Sequence, residues 1–213
     1  MRLFYSRNYN PRLAVAVARY LDAPVAFEFA SPFTPEHAAR FLAMNPNQSI
    51  PILQEDDGTT LWEADAIACR LSQVTGSDFW RQNASQPDMI RWISWGYWNF
   101  VRACDQVHYE RVTKQRYHHG PIEAAKVAEG LDNFARAAAV LDAHLTGRDW
   151  VLADGISYAD FRLASVLPGA DIAQLPLADY RAISAWYARL QELPAWADPF
   201  AGLDTPELPP IPH

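Results

Sequence analysis

The sequence predicts two parts of different class, an α/β layer over residues 1–78 and an all-helical part over residues 86–213. Three observations predict it. Short strand-like and helix-like patterns alternate as far as Gly76. From about Pro87 onward only helical patterns occur. The change falls near Ser77–Ser85, which reads as a linker. A chain of 213 residues, half of them hydrophobic, has the length for two modest domains and the apolar content to bury their cores.

In the first part, residues 2–5 (Arg-Leu-Phe-Tyr) read as a strand. Asn8 and Asn10-Pro11 mark a turn, and Pro11 suits the first turn of a helix, where its missing N–H costs nothing. The stretch Arg12–Leu21 is apolar at helical spacing, and Val25–Phe29 alternates as a second strand. Thr34 is a candidate N-cap for a helix reaching Met44, stopped by Asn45-Pro46-Asn47. Residues 50–53 make a third strand, Asp57-Gly58 a hairpin turn and Thr59–Trp62 a fourth strand. Glu63–Thr75 is a helix closed by Gly76. The order β-α-β-α-β-β-α is that of a small layered α/β domain.

The second part opens with a long aromatic-rich helix over Pro87–Tyr117, broken at Gly120-Pro121. Helices follow over Ile122–Leu145, Ser157–Leu167 and Asp179–Leu193. Ser157-x-x-Asp160 has the spacing of a capping box, which assigns both residues to folding. Four prolines at 206, 209, 210 and 212 predict a tail lying over the surface or mobile.

Composition excludes several classes. The net charge is −7 and only Lys114 and Lys126 are lysines, so no basic nucleic-acid surface is expected. No apolar run approaches membrane-spanning length, and the N-terminus lacks the apolar region of a signal peptide. The two cysteines, Cys69 and Cys104, form neither a C-x-x-C pair nor a metal-ligand spacing. Both lie in apolar helical context and read as inert thiols in a reducing cytoplasm, with no metal.

Four segments carry a resemblance. They are Tyr5-Ser6 followed by Asn10-Pro11; Asn45-Pro46-Asn47-Gln48-Ser49-Ile50-Pro51-Ile52-Leu53; Leu61-Trp62-Glu63-Ala64-Asp65-Ala66-Ile67; and Ile156-Ser157-Tyr158-Ala159-Asp160-Phe161. In this order and spacing the chain resembles the cytosolic glutathione S-transferase superfamily over almost its whole length. The resemblance implies a thioredoxin-like N-terminal domain that binds glutathione and a helical domain that shapes the second substrate's pocket. It also implies a cis bond before Pro51, pairing of the Ile50 peptide with the cysteinyl backbone of glutathione, and a homodimer. Glu63 and the N–H of Ala64 are implied to receive the γ-glutamyl group. Ala64 stands where the family has Ser, which removes one hydroxyl hydrogen bond worth about 0.5–1.5 kcal/mol. Gln48 stands where Gly is common. Gln48, Ser49 and Arg12 are the candidates for the rest of the tripeptide.

The family's chemistry is activation of a thiol by a hydrogen-bond donor near a helix N-terminus. Here the helix-start position is Asn10, with Ser6 and Tyr9 as hydroxyl alternatives; Asn10 could equally be only the helix N-cap. On the long helix, Trp92, Trp95, Asn99 and Arg102 recur at helical spacing with Trp98 beside them. Trp95, Trp98, Asn99 and Arg102 are the substrate-pocket candidates, while core or dimer packing is the plainer role for the tryptophans. Three functions stay open: conjugation of glutathione to small hydrophobic electrophiles, glutathione-dependent disulfide or peroxide reduction, and a non-catalytic interaction module.

Overall fold

The computed structural model describes residues 1–211. It divides into two compact units, Met1–Trp80 with Leu193–Glu207, and Arg81–Glu192 with residues 208–211.

The first unit is built on a four-stranded sheet in the order β2-β1-β3-β4, with β1 over Arg2–Tyr5, β2 over Ala26–Phe29, β3 over Ile52–Gln54 and β4 over Thr60–Trp62. β1 runs parallel to β2 and antiparallel to β3, and β4 is antiparallel to β3. Three helices join and cover these strands: α1 (Tyr9–Tyr20), α2 (Pro35–Met44) and α3 (Ala64–Thr75). Leu3, Phe4 and Tyr5 are all buried, as a central strand covered on both faces requires. α1 buries an unbroken Leu13–Ala18. Phe4 meets Phe41 of α2 edge-on, with centroids 5.6 Å apart. Ile52 and Ala30 complete that cluster, with Met44, Ile50 and Trp62 packed against it. Gly76 ends α3 at φ +68, the left-handed conformation that glycine adopts without a side-chain clash.

The helical unit begins with a rod over 86–116. In place of one uniform helix it contains α4 (Gln86–Gly96), a π segment Tyr97–Val101, α5 (Arg102–His108), a second π segment Tyr109–Thr113, and α6 (Lys114–Arg116). α7 (Ala124–Leu145) packs along the rod. α8 (Tyr158–Ala164) and α9 (Arg181–Gln191) follow, with short 3-10 turns at Leu167–Gly169 and Leu177–Asp179. Two glycines set close approaches. A Cβ on Gly96 would lie 2.5 Å from Leu163 Cδ2 of α8, and one on Gly130 of α7 would lie 2.8 Å from Val107 Cγ2 of α5. The capping box forms at the start of α8: Ser157 Oγ accepts from the Ala159 N–H, and Asp160 Oδ2 accepts from the Ser157 N–H at 2.9 Å. Among the described residues no helix is long and apolar enough to cross a membrane.

The fourth expected helix, Asp179–Leu193, stops at Gln191 in the structure. Pro194 then starts a separate turn of helix, α10 (Pro194–Ala197). The segment 193–207 belongs to the first unit, which shortens the expected 86–213 helical part. Three arginines of the first unit explain this. Arg12 Nη2 donates to the Trp196 carbonyl, Arg19 Nη2 to the Ala201 carbonyl at 2.8 Å, and Arg7 to the Thr205 and Pro206 carbonyls, each at 3.0 Å. Such bonds to main-chain oxygens need no particular side chain on the segment they hold, so no sequence pattern announced them.

Candidate functional site

Register brings the first unit's candidate residues to one end of the sheet. Phe4 pairs with Ile52, and Ile52 pairs with Trp62. The next residues on the three strands are therefore Tyr5-Ser6 leaving β1, Ile50-Pro51 entering β3, and Glu63-Ala64 leaving β4. α1 and α3 both start at this end, so two helix N-termini place partial positive charge there, which favours an anion or a thiolate.

The Ile50–Pro51 peptide bond is cis. The ladder of β3 begins at Ile52, so the Ile50 peptide lies beyond the last paired rung. Its side chain packs into the Phe4–Phe41 cluster, leaving the peptide groups as the part a ligand could use. The turn before it is organised by Asn45, expected as a helix stop and as the first residue of the second resembling segment. Asn45 is buried. Its Nδ2 donates to the Ser49 carbonyl at 2.8 Å and to Ser49 Oγ at 3.2 Å, and its Oδ1 accepts from the Asn47 N–H at 2.9 Å. An Asn directly ahead of a proline, a residue type that pairs with nearby main-chain groups in turns, was the available signal.

Gln48 has φ +52, the conformation for which the family's glycine is suited. Its side chain donates to the Pro32 carbonyl at 2.9 Å, so the amide is used in holding the loop. Ser49 is likewise tied to Asn45. Arg12 turns away to α10, where its guanidinium lies 5.0 Å from the centroid of the Trp196 ring. These three residues thus carry local structural duties.

Glu63 is the most unusual residue at this end of the sheet. It is exposed, precedes α3 with φ +73 and ψ +127, and does not cap the helix with its own side chain. A non-glycine residue in that region costs on the order of 1–3 kcal/mol, and such strain gathers at sites where function demands it. Ala64 behind it is 3% exposed.

The donor candidates separate. α1 begins at Tyr9, and the N-cap is Asn8, so Asn10 sits inside the first turn and is not the cap. Asn10 is exposed. Ser6 is buried at 9% exposure, with its Oγ accepting from the Asn8 N–H at 3.4 Å. The Tyr9 hydroxyl oxygen is buried. Neither cysteine suits thiol chemistry. Burial pushes the Cys104 thiol well above its ordinary range, with Asp105 adding to the effect, and burial raises Cys69 too.

In the helical unit, Trp95, Trp98, Asn99 and Arg102 line one groove of about 460 Å³ between the rod and α7, facing Asn133 and Arg136. Trp92, three residues before Trp95 on α4, does not share this groove but is buried, its ring centroid 4.1 Å from that of His144. Asn99 Nδ2 donates to the Trp95 carbonyl at 2.8 Å, and the Arg102 guanidinium lies 5.5 Å over Trp98, itself 62% exposed. Among the described residues no group of three or more His, Cys, Asp or Glu side chains could hold a metal ion.

Comparison with known proteins matches this geometry to one family. Residues 1–71 match the family Glutathione S-transferase, N-terminal domain, and residues 123–189 match Glutathione S-transferase, C-terminal domain. The chain is 26% identical over 199 residues to the glutathione S-transferase stcT of Emericella nidulans, spanning 91% of this chain and 89% of that one. A glutathione S-transferase structure from Rhodospirillum rubrum F11 superposes with a TM-score of 0.83 at 23% identity, over 98% of this chain and 96% of that one. Ure2p in complex with glutathione gives 0.79 at 20% identity, over 93% and 97%. The two structures speak to fold alone. With a sheet-bearing half and a helical half both matched in order to the same family, the chain belongs to the glutathione S-transferase superfamily.

Proposed function

We propose that this protein is a glutathione transferase that conjugates glutathione to small hydrophobic electrophiles. The observation that supports it most is the shared rung Phe4–Ile52–Trp62, which brings the Ile50 peptide, strained Glu63 and the start of α1 to one end of the sheet. Glutathione supplies the thiol. The Ile50 peptide pairs with its cysteinyl backbone in the manner of an added strand. Glu63 receives the γ-glutamyl ammonium, and the first N–H groups of α3 receive the carboxylate. The Asn10 amide donates to sulfur from the first turn of α1, where the helix dipole also favours the thiolate. The amide cannot act as a base, so the thiol proton passes to solvent. On attack the C–S bond forms and the electrophile's leaving group departs with its electron pair. Trp95, Trp98, Asn99 and Arg102 supply an aromatic and polar surface for the electrophile. A homodimer in the cytoplasm completes the reading, which the family supports.

The test is retention on immobilised glutathione together with turnover of an aryl halide. Retention and a rate above the uncatalysed reaction are expected; absence of both overturns the proposal. Strong reduction of hydroxyethyl disulfide with negligible aryl conjugation assigns the same site to disulfide reduction instead.

A further inference from the structure

Tyr5 and Arg7, two residues apart, both turn to the C-terminal segment of the first unit, with Ser6 between them. The Tyr5 hydroxyl hydrogen-bonds Thr205 Oγ1 at 3.0 Å, and its ring stacks on Phe200 at 5.9 Å and 21°. Arg7 is held more fully. Its Nε donates to the Pro206 carbonyl and its Nη2 to the Thr205 carbonyl, both at 3.0 Å. Nη2 also pairs with Glu207 Oε1 at 2.6 Å, and the guanidinium sits 5.3 Å from the Phe200 centroid. The fork of a guanidinium satisfies several acceptors in one plane, which a lysine ammonium cannot copy. Arg7 lies in the three-residue loop between β1 and α1, and its neighbours Ser6 and Asn8 are joined by the 3.4 Å bond from the Asn8 N–H to Ser6 Oγ.

We infer that Arg7 is a positioning residue: clamped by residues 200–207, it fixes the β1–α1 loop and so the direction in which the first turn of α1 presents Asn10 to the glutathione sulfur. The inference rests on the transferase reading above. Loops of this length without a clamp open locally at little cost. A donor displaced by about 1 Å forfeits ten- to hundredfold in rate.

The experiment compares Arg7→Met, Arg7→Lys and Arg19→Met with the wild-type chain. Arg19 holds the same segment through the Ala201 carbonyl but lies at the far end of α1, so it controls for general loosening. Amide hydrogen exchange over residues 6–10 is read first, without glutathione. The ultraviolet titration of the bound glutathione thiol and kcat/KM with an aryl halide are read next. Arg7→Met is expected to speed exchange in 6–10, move the thiol titration to higher pH and lower kcat/KM about tenfold or more. Arg7→Lys is expected to recover part of each, and Arg19→Met to change melting temperature with neither effect. Unchanged exchange in Arg7→Met, or faster exchange with an unmoved thiol titration, overturns the inference while leaving the transferase reading standing. A wild-type chain that binds no glutathione overturns that reading, and this inference with it.

Discussion

Trp186 of α9 donates its indole N–H to Asp160 Oδ1 of α8 at 2.9 Å, and both side chains are fully buried. The same carboxylate accepts from the Val151 N–H at 2.8 Å and the Ser157 N–H at 2.9 Å. One residue therefore closes the cap of α8, anchors the loop before it and fixes α9. Burial raises the Asp160 carboxyl to about 6, the hydrogen bonds from Val151, Trp186 and Ser157 offsetting it only in part. The folded chain thus binds a proton that the unfolded chain releases at its ordinary value near 3.8. The stability tied to that proton is complete below the unfolded value and is lost as pH rises through about 6. Asp160→Ala, which strands three buried donors, is expected to cost about 3 kcal/mol or more. Asp160→Asn keeps the shape and cannot titrate. Its deficit relative to wild type is expected to be larger at pH 5 than at pH 7.5 in urea melts, and an equal deficit at both would contradict the shift.

Ala64 marks the place where a family hydroxyl is missing, in the first turn of α3. If the γ-glutamyl carboxylate sits on that turn, Ala64→Ser adds one hydrogen bond of about 0.5–1.5 kcal/mol. The dissociation constant for glutathione is then expected to fall about two- to tenfold. Isothermal titration of both proteins checks this, and an affinity that does not improve argues against a carboxylate at that helix end.

How much of this was legible in the sequence follows from what kind of contact made each feature. The strands, the Gly76 cap and the Ser157–Asp160 box are local, and local spacing revealed them. The position of Asn10 was misread by two residues as a possible cap, because Asn8 and Asn10 offer the same capping chemistry and only the backbone decides between them. The bonds that Gln48 and Arg12 make, to the Pro32 and Trp196 carbonyls, were not legible because those partners are main-chain atoms distant in sequence. Trp92 shares a face with Trp95 only loosely, because residues three apart on a helix differ in direction by about 60°, and Trp92 is the one that turns inward onto His144. The strain at Glu63 was invisible, since no residue type signals a positive φ there.

That strain has a measurable consequence. Glycine lacks the Cβ that makes φ +73 costly, so Glu63→Gly is expected to recover up to about 1 kcal/mol of stability. Glu63→Gln keeps the strain and should melt as wild type does. Both remove the carboxylate and are expected to weaken glutathione binding at least tenfold, the loss typical of an unpaired ammonium. Thermal melts and titration of the pair check the two effects separately. A Gly variant that is less stable than the Gln variant would show that the conformation is not held at a cost.

Gly130 tests the packing of the helical unit. A Cβ there would lie 2.8 Å from Val107 Cγ2 and 3.3 Å from Gln106 Cγ. Alanine improves helix propensity by about 1 kcal/mol, but forcing a methyl into a closed contact costs about 1–3 kcal/mol. The contact wins here because a β-branched side chain inside the rod has one favoured rotamer and cannot swing aside. Gly130→Ala is expected to lower stability by about 1 kcal/mol in denaturant melts, and a gain would mean that α7 shifts to make room.

Trp98 and Arg102 decide what the groove on the rod is for. The indole is largely exposed and carries the Arg102 guanidinium over its face, which presents a flat apolar surface beside a fixed positive charge. A flat aromatic electrophile bearing an electron-withdrawing group fits that pairing, through stacking on the ring and attraction to the cation. Trp98→Ala is expected to raise KM for such a substrate about three- to tenfold, since a ring–ring contact contributes about 0.5–1.5 kcal/mol. KM for glutathione, whose proposed contacts lie on the sheet, should stay as it is. The competing use of the same surface, a contact between two copies of the chain, predicts a different result: a changed sedimentation profile with both KM values moving together. Steady-state kinetics with each substrate varied in turn, run beside analytical ultracentrifugation of the same preparation, separate the two. If the electrophile's KM is unmoved while the protein dissociates, Trp98 belongs to an interface and the electrophile binds elsewhere.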